Sequence, residues 1–173
     1  MQAVSRSKGS STYGELLPSS TLRLLDALDL DHEDVLFDLG SGVGKVVMLA
    51  AASSPVGKVV GVELAASRCE QARQAFAAAA ARGVPGLRRA AIVHGDLLSV
   101  DLRAATVAYT CSTAFSSGFM RKLVRRLAEL PRLRLLASLQ DIDPHPAFVP
   151  LRDLSIDASW RRRTHVHIYR RVR

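Results

Sequence analysis

The segment Asp38-Leu39-Gly40-Ser41-Gly42-Val43-Gly44 places three glycines and an acid at the end of a short apolar run, Val35 to Leu39. A glycine turn between a buried strand and its helix is where open α/β sheets bind ligands, beyond the carboxyl ends of the strands. Three cofactor classes use such a turn. A phosphate-binding loop needs GxxxxGK[ST]; Gly44-Lys45 is present, but Leu39 stands at the first glycine position and Val46 at the Ser/Thr position. A dinucleotide fingerprint, GxGxxG, needs a glycine where Lys45 stands. The carboxylate of Asp38 would repel a phosphate in either case. S-adenosyl-L-methionine has no phosphate and carries a sulfonium and an α-ammonium that a nearby carboxylate favours. Its ribose hydroxyls need an acceptor at the end of the second strand, where Glu63 offers two oxygens. Asp96, at the end of the third strand, is the next acceptor, suited to the exocyclic amine of adenine with Leu97 packed on the ring. A turn or helix-capping aspartate is the competing reading.

The elements that must position these residues alternate in type. Ser19 to Leu30 reads as a helix, with Leu22, Leu24, Leu25, Leu28 and Leu30 as its apolar face and Ser19 or Ser20 as its N-cap. Strand-like runs at Val35–Leu39, Lys58–Leu64, Ala90–Val93, Ala105–Thr110 and Leu133–Leu139 are interleaved with helices at Lys45–Ala52, Ala65–Ala81 and Ser116–Leu130. Arg82-Gly83 supplies a glycine stop for the second of these helices. Such alternation specifies a parallel sheet with right-handed crossovers. Leu151–Ile156 and Thr164–Arg170 break the rhythm, with only a short loop around Trp160 between them, so they form a hairpin at the end of the sheet. The expected fold is α/β: a Rossmann-like, seven-stranded, mostly parallel sheet with helices on both faces and a C-terminal antiparallel β-hairpin.

A chain of 173 residues has room for one domain, which at this size buries roughly 70% of its unfolded surface without a metal or disulfide staple. The expected organisation is a flexible segment over residues 1–12 and a single domain over 13–173. No apolar run reaches the length of a membrane span and the start is polar, so an intracellular, cytoplasmic protein is expected, or a nuclear one in a eukaryote. Cys69 and Cys111 lie far apart without a CxxC or a Cys/His cluster, and no metal constellation is expected. Residues 1–120 carry 11 basic and 11 acidic side chains, and residues 121–173 carry 13 and 5, so the last third holds the whole excess of +8. Helical periodicity puts Arg121, Lys122, Arg125 and Arg126 outward, and Arg161-Arg162-Arg163 falls in the hairpin loop. A one-sided basic surface attracts an acidic partner or nucleic acid; solubility is the alternative role.

Together these residues resemble the Dot-type histone lysine methyltransferases of class I, named for disruption of telomeric silencing, and above all their small single-domain look-alikes. Asp38 to Gly44 is similar almost letter for letter to that family's cofactor loop. Tyr13-Gly14-Glu15 resembles the family's N-terminal loop, which folds over the methionine end of the cofactor. Gly61-Val62-Glu63 and Gly95-Asp96-Leu97 resemble its ribose and adenine segments, and the match runs over roughly residues 13–115. The resemblance implies cofactor contacts from Tyr13, Glu15, Asp38, Gly40, Ser41, Gly42, Gly44, Glu63, Asp96, Leu97 and Thr110. It also implies lysine methylation of a protein substrate. The family's catalytic loop typically reads Asn-Asn-Phe, whereas this chain has Tyr109-Thr110-Cys111-Ser112-Thr113-Ala114-Phe115, closer to the Ser-Thr loop of the look-alikes.

Methyl transfer from a sulfonium is an in-line displacement, and positioning alone can supply about 7–11 kcal/mol of the acceleration. An acceptor lysine must first lose its proton. Ser112 and Thr113 are placed to accept a hydrogen bond from the amine, and Phe115 and Trp160 to wall the channel. Each has a plain alternative: Ser112 and Thr113 as helix caps, Phe115 as core, Trp160 as hairpin packing. His165, His167 and Tyr169 share one strand face, read as a solvent-facing or helix-covered surface rather than a metal site. An RNA, DNA or small-molecule methyltransferase is a second reading, although the Asn/Asp-Pro-Pro-aromatic loop and the Pro-Cys dipeptide of nucleic-acid enzymes are absent. A cofactor-binding partner subunit without its own catalysis is a third.

Overall fold

The computed structural model describes residues 15–172, so the expected flexible segment 1–12 and the pair Tyr13-Gly14 lie outside the described residues. Helix α1 (Pro18–Leu28) is followed by β1 (Val35–Leu39), α2 (Lys45–Ser53), β2 (Lys58–Glu63), α3 (Ala66–Ala81), β3 (Ala90–His94), β4 (Val107–Thr110), α4 (Ser117–Ala128), β5 (Leu135–Ser138), β6 (Phe148–Ala158) and β7 (Arg161–Arg171). The seven strands form one sheet in the order β3-β2-β1-β4-β5-β7-β6. The first five are parallel and in register, for example Asp38 opposite Gly61 and Tyr109, and Thr110 opposite Ser138. β7 runs antiparallel to β5 and to β6, so the hairpin closes the sheet with its second strand on the inside.

Strand alternation splits the apolar side chains into two cores, one on each face. α1, α2 and the Phe76–Ala79 part of α3 cover Leu36, Val59, Val107 and Ile168, whereas α4 and residues 97–105 cover Phe37, Val60, Leu136 and Tyr169. Asp38 and Glu63, even and odd members of their strands, both fall on the α1–α2 face.

Several boundaries differ from expectation for identifiable reasons. α1 begins at Pro18, whose missing N–H and fixed φ suit the first helical turn. Its cap position is Leu17, with no side-chain cap bond, rather than Ser19 or Ser20. Ser20 is buried and accepts a hydrogen bond from the Asp157 amide of β6 at 3.0 Å, which ties α1 to the hairpin. Leu22 is exposed, off the apolar face assigned to it. α4 is capped by Ser116, which accepts from the Phe119 amide at 3.2 Å. The hairpin strands are 11 residues each, longer than the apolar pattern marks, with Pro150 tolerated on the outer edge.

The basic side chains do not all face solvent. Arg126 turns back to donate to the Leu97 and Val100 carbonyls, which overturns its outward assignment. Arg134 binds the buried Asp34 carboxylate at 2.5 Å, and Arg171 donates to the Ala128 carbonyl at 2.9 Å. Among the described residues no helix is long and apolar enough to cross a membrane.

Candidate functional site

Parallel strands that end in register bring Leu39, Glu63, His94, Thr110 and Ser138 to one edge of the sheet. The glycine turn crosses this edge. The Gly40 and Ser41 amides both donate to the Val62 carbonyl, at 2.9 and 3.0 Å, so the turn is stitched to β2. Gly40 has φ +87° and Gly44 φ +78°, a region costly for any other residue. Space is as tight as geometry: a Cβ on Gly40 would lie 3.2 Å from the Phe115 ring, and one on Gly44 2.9 Å from the Phe76 ring. Gly61 leaves room on β2 for the Ser41 side chain, whose Oγ would be 2.6 Å from a Cβ there.

Beneath the turn sit two buried carboxylates. Glu63 is 6% exposed, and its oxygens accept from the Gly42 amide and the Ala65 amide, each at 2.9 Å. Arg68 approaches it at 3.6 Å. Asp38 is 2% exposed; burial, and secondarily the charge of Glu63, push its carboxyl up to about 7. The same burial, with Asp38 alongside, pushes the Cys111 thiol up to about 11, so it stays protonated near neutrality. Two further oxygens, Ser41 Oγ and Glu15 Oε1, are buried with no protein partner. Buried polar atoms without partners are rare in folded proteins. The other Glu15 oxygen pairs with Lys45, the first residue of α2. Glu15 also exchanges hydrogen bonds with Ser159 of the hairpin, at 2.8 and 3.2 Å.

The structure thus brings together Glu15, Asp38, Gly40, Ser41, Gly42, Gly44 and Glu63. Asp96 stands farther along the edge, exposed, with one oxygen accepting from the Leu98 amide at 2.8 Å. Leu97 is buried in the α4-side core. Thr110 is buried and donates to the Leu39 carbonyl at 3.0 Å, joining β4 to β1. Tyr13 lies outside the described residues.

The loop after β4 divides its residues sharply. Ser112 is fully buried; its hydroxyl shares a hydrogen bond with Ser138 at 3.1 Å and accepts from the Gln140 amide at 2.9 Å. It therefore anchors the loop to β5 and to the segment after it. Thr113 is exposed on a single 3₁₀ turn, Ser112–Ala114. Phe115 lies against Gly40 and packs its ring on Phe119 at 4.8 Å between centroids. Gln140 went unnoticed in the sequence: its side chain donates to the Ser112 carbonyl and, at 3.0 Å, to the Phe115 carbonyl, clamping both ends of the loop. A lone glutamine after a strand carries no sequence signal for such a role. Trp160 is 42% exposed at the hairpin tip. Tyr169 is buried and donates to Asp141, while His167 bonds Asp153 at 2.8 Å. Among the described residues no group of metal-ligating side chains is assembled.

Comparison with known proteins places this geometry. The family model for histone methylation protein DOT1 matches residues 5–145. A protein-lysine N-methyltransferase of Saccharolobus islandicus is 39% identical over 85 residues, which cover 49% of this chain and 50% of that protein. The H3 lysine-79 specific histone-lysine N-methyltransferase of Caenorhabditis elegans is 46% identical over 55 residues, 32% of this chain and 6% of that protein. The chain therefore spans half of the first relative and a small part of the second. Among solved structures, an RNA methyltransferase from Salinibacter ruber in complex with S-adenosyl-L-homocysteine superposes with a TM-score of 0.66 at 27% identity, covering 87% of this chain and 88% of that one.

Proposed function

We propose that this chain, which belongs to the histone methylation protein DOT1 family, moves the methyl group of S-adenosyl-L-methionine onto the side-chain amine of a protein lysine. The observation that carries the reading is the pair of buried carboxylates, Asp38 and Glu63, under a glycine turn whose Ser41 hydroxyl has no protein partner. That donor set suits a cationic nucleoside and repels a phosphorylated one.

When bound, the cofactor supplies a methyl group activated by a sulfonium. Glu63 accepts the ribose hydroxyls and Asp38 offsets the positive charge. Ser41 Oγ and Glu15 Oε1 gain the partners they lack. Asp96 takes the adenine amine, and Leu97 and Thr110 hold the neighbouring framework in place. Gly40, Gly42 and Gly44 let the backbone close on the ligand. The exposed Thr113 hydroxyl accepts a hydrogen bond from the neutral acceptor amine and holds its lone pair in line. Phe115, seated against Gly40, keeps water from the reacting atoms. Ser112 acts through the loop and is a positioning residue.

Incubation with labelled S-adenosyl-L-methionine and a cell extract, followed by protease or nuclease, tests the assignment of substrate. Label that survives nuclease, is released by protease and appears as methyl-lysine is the expected result. The Salinibacter ruber enzyme, matched over nearly its whole length, favours RNA as the second reading, and label destroyed by ribonuclease would establish it.

Gln140→Ala removes two donors from the loop. Stability should fall by about 1–3 kcal/mol. The affinity for S-adenosyl-L-homocysteine should be unchanged, while kcat drops at least about tenfold because the loop loses its alignment. Gln140→Glu should be worse than alanine, since a carboxylate faces two carbonyl oxygens. Parallel calorimetry, thermal melts and single-turnover rates separate these effects.

A further inference from the structure

We propose that the tip of the β6–β7 hairpin, Trp160 with Arg161, Arg162 and Arg163, is a docking surface for single-stranded nucleic acid. This proposal does not rest on the identity of the methyl acceptor.

The tip projects from the edge of the sheet that carries the glycine turn. β7 is antiparallel to β5, and His167 lies opposite Ser138 at the carboxyl end of β5. The last hairpin pair, Ala158 with Arg161, is six residues beyond His167 and so reaches up to roughly 20 Å past that end. The segment before α1 is strapped to the same tip. Leu16 bridges Ala158, and Glu15 joins Ser159 to Lys45 at the start of α2.

The composition of the tip runs against what a reversal needs for stability. Three arginines stand side by side, all exposed. Arg163 adopts φ +54°, where glycine or asparagine would be at ease. Its amide is held by Asp157 at 2.9 Å. Among the described residues, none of the three guanidinium groups forms an ion pair, whereas Arg126, Arg134 and Arg171 are consumed inside the fold. Trp160 exposes 42% of its surface although it is the only tryptophan of the chain. Three unpaired arginines beside an exposed indole leave the tip with charge and apolar area that no contact among the described residues uses.

The chemistry selects the partner. Guanidinium forks pair with phosphate oxygens in two-point fashion, and an exposed indole offers a face on which an unstacked base can lie. A duplex keeps its bases stacked on one another, whereas a single strand offers phosphates to the guanidinium forks and an open base to the indole at once.

Trp160 is its own reporter. The full chain is titrated with a single-stranded oligouridylate of about ten nucleotides, following Trp160 emission and the anisotropy of labelled oligomer. Quenching should accompany binding, and log K should fall with log salt at a slope near −2, about −0.7 per phosphate for three contacts. Arg161→Gln, Arg162→Gln and Arg163→Gln together should flatten that slope and weaken binding at least tenfold, with the affinity for S-adenosyl-L-homocysteine unchanged as proof of folding. Trp160→Phe should retain more affinity than Trp160→Ala. Absence of binding at low salt would overturn the proposal. So would binding without change in Trp160 emission, or tighter binding of duplex or of polyglutamate than of the single strand. Methyl transfer, measured separately, is indifferent to these outcomes.

Discussion

Glu63→Ala is expected to weaken binding of S-adenosyl-L-homocysteine by roughly 2–4 kcal/mol, about 30- to 800-fold in Kd. The carboxylate is a charged acceptor in a nearly closed site, and hydrogen bonds to charged groups are worth about twice neutral ones. Two ribose hydroxyls would be left to a pocket that cannot hydrate them. Glu63 also holds the Gly42 and Ala65 amides, so part of the loss would come from a turn less ordered before binding. Glu63→Gln separates the contributions: it keeps one acceptor oxygen for the turn and removes the charge. Isothermal calorimetry gives the affinities, and thermal melts of the ligand-free variants give the cost to the fold. A Glu63→Ala variant with wild-type affinity and a lowered melt would show that Glu63 only organises the turn.

The sheet was legible because buried strands and helices leave different periods. Val35–Leu39 and Lys58–Leu64 are β-branched or apolar runs closed by turn residues; the first strand has those bounds, and the second ends one residue earlier, at Glu63. The hairpin was legible as a hairpin but not in its extent. Arg161 to Arg163 read as loop by charge, yet they continue β7, because ladder bonds at an exposed tip need no buried face. Phe148 to Pro150 belong to β6 because an edge strand tolerates a residue without a donor. That β7 lies inside β6 depends on which strand meets β5, a tertiary choice that no local pattern records.

The site shows the same division. Glycines at 40, 42 and 44 announce a sharp turn because few other residues survive positive φ, and acids at strand ends announce a ligand edge. Side chains that reach across elements announce nothing. Arg126 has the spacing of a solvent-facing residue, but its long stem carries the guanidinium back to two carbonyls of the 97–105 segment. Ser112 looks like a cap or a catalytic hydroxyl, and only the approach of Ser138 and Gln140 makes it an anchor.

Asp38 should make cofactor binding depend on pH, with a sign fixed by its raised pKa. In the ligand-free fold burial, then Glu63, hold the carboxyl near 7, against about 3.9 in an unfolded chain. The folded state therefore keeps a proton that the unfolded state gives up between about pH 4 and 7. Asp38 thus contributes a decline in stability as pH rises through that window, up to about 4 kcal/mol, levelling off above it. Asp38→Asn keeps the neutral shape and should lack this decline, which urea unfolding at pH 5, 6, 7 and 8 can resolve against wild type. Ligand binding runs the opposite way. A cation beside Asp38 favours the ionised form and so expels the proton. The Kd for S-adenosyl-L-methionine should then tighten by up to tenfold per pH unit from about 5 to 7 and become flat above. Calorimetry at pH 6 in two buffers of different ionisation heat should report close to one proton released per cofactor bound, and none for Asp38→Asn. A flat wild-type profile with no proton release would mean that Asp38 is already ionised in the empty site, or that it does not face the cofactor's charge.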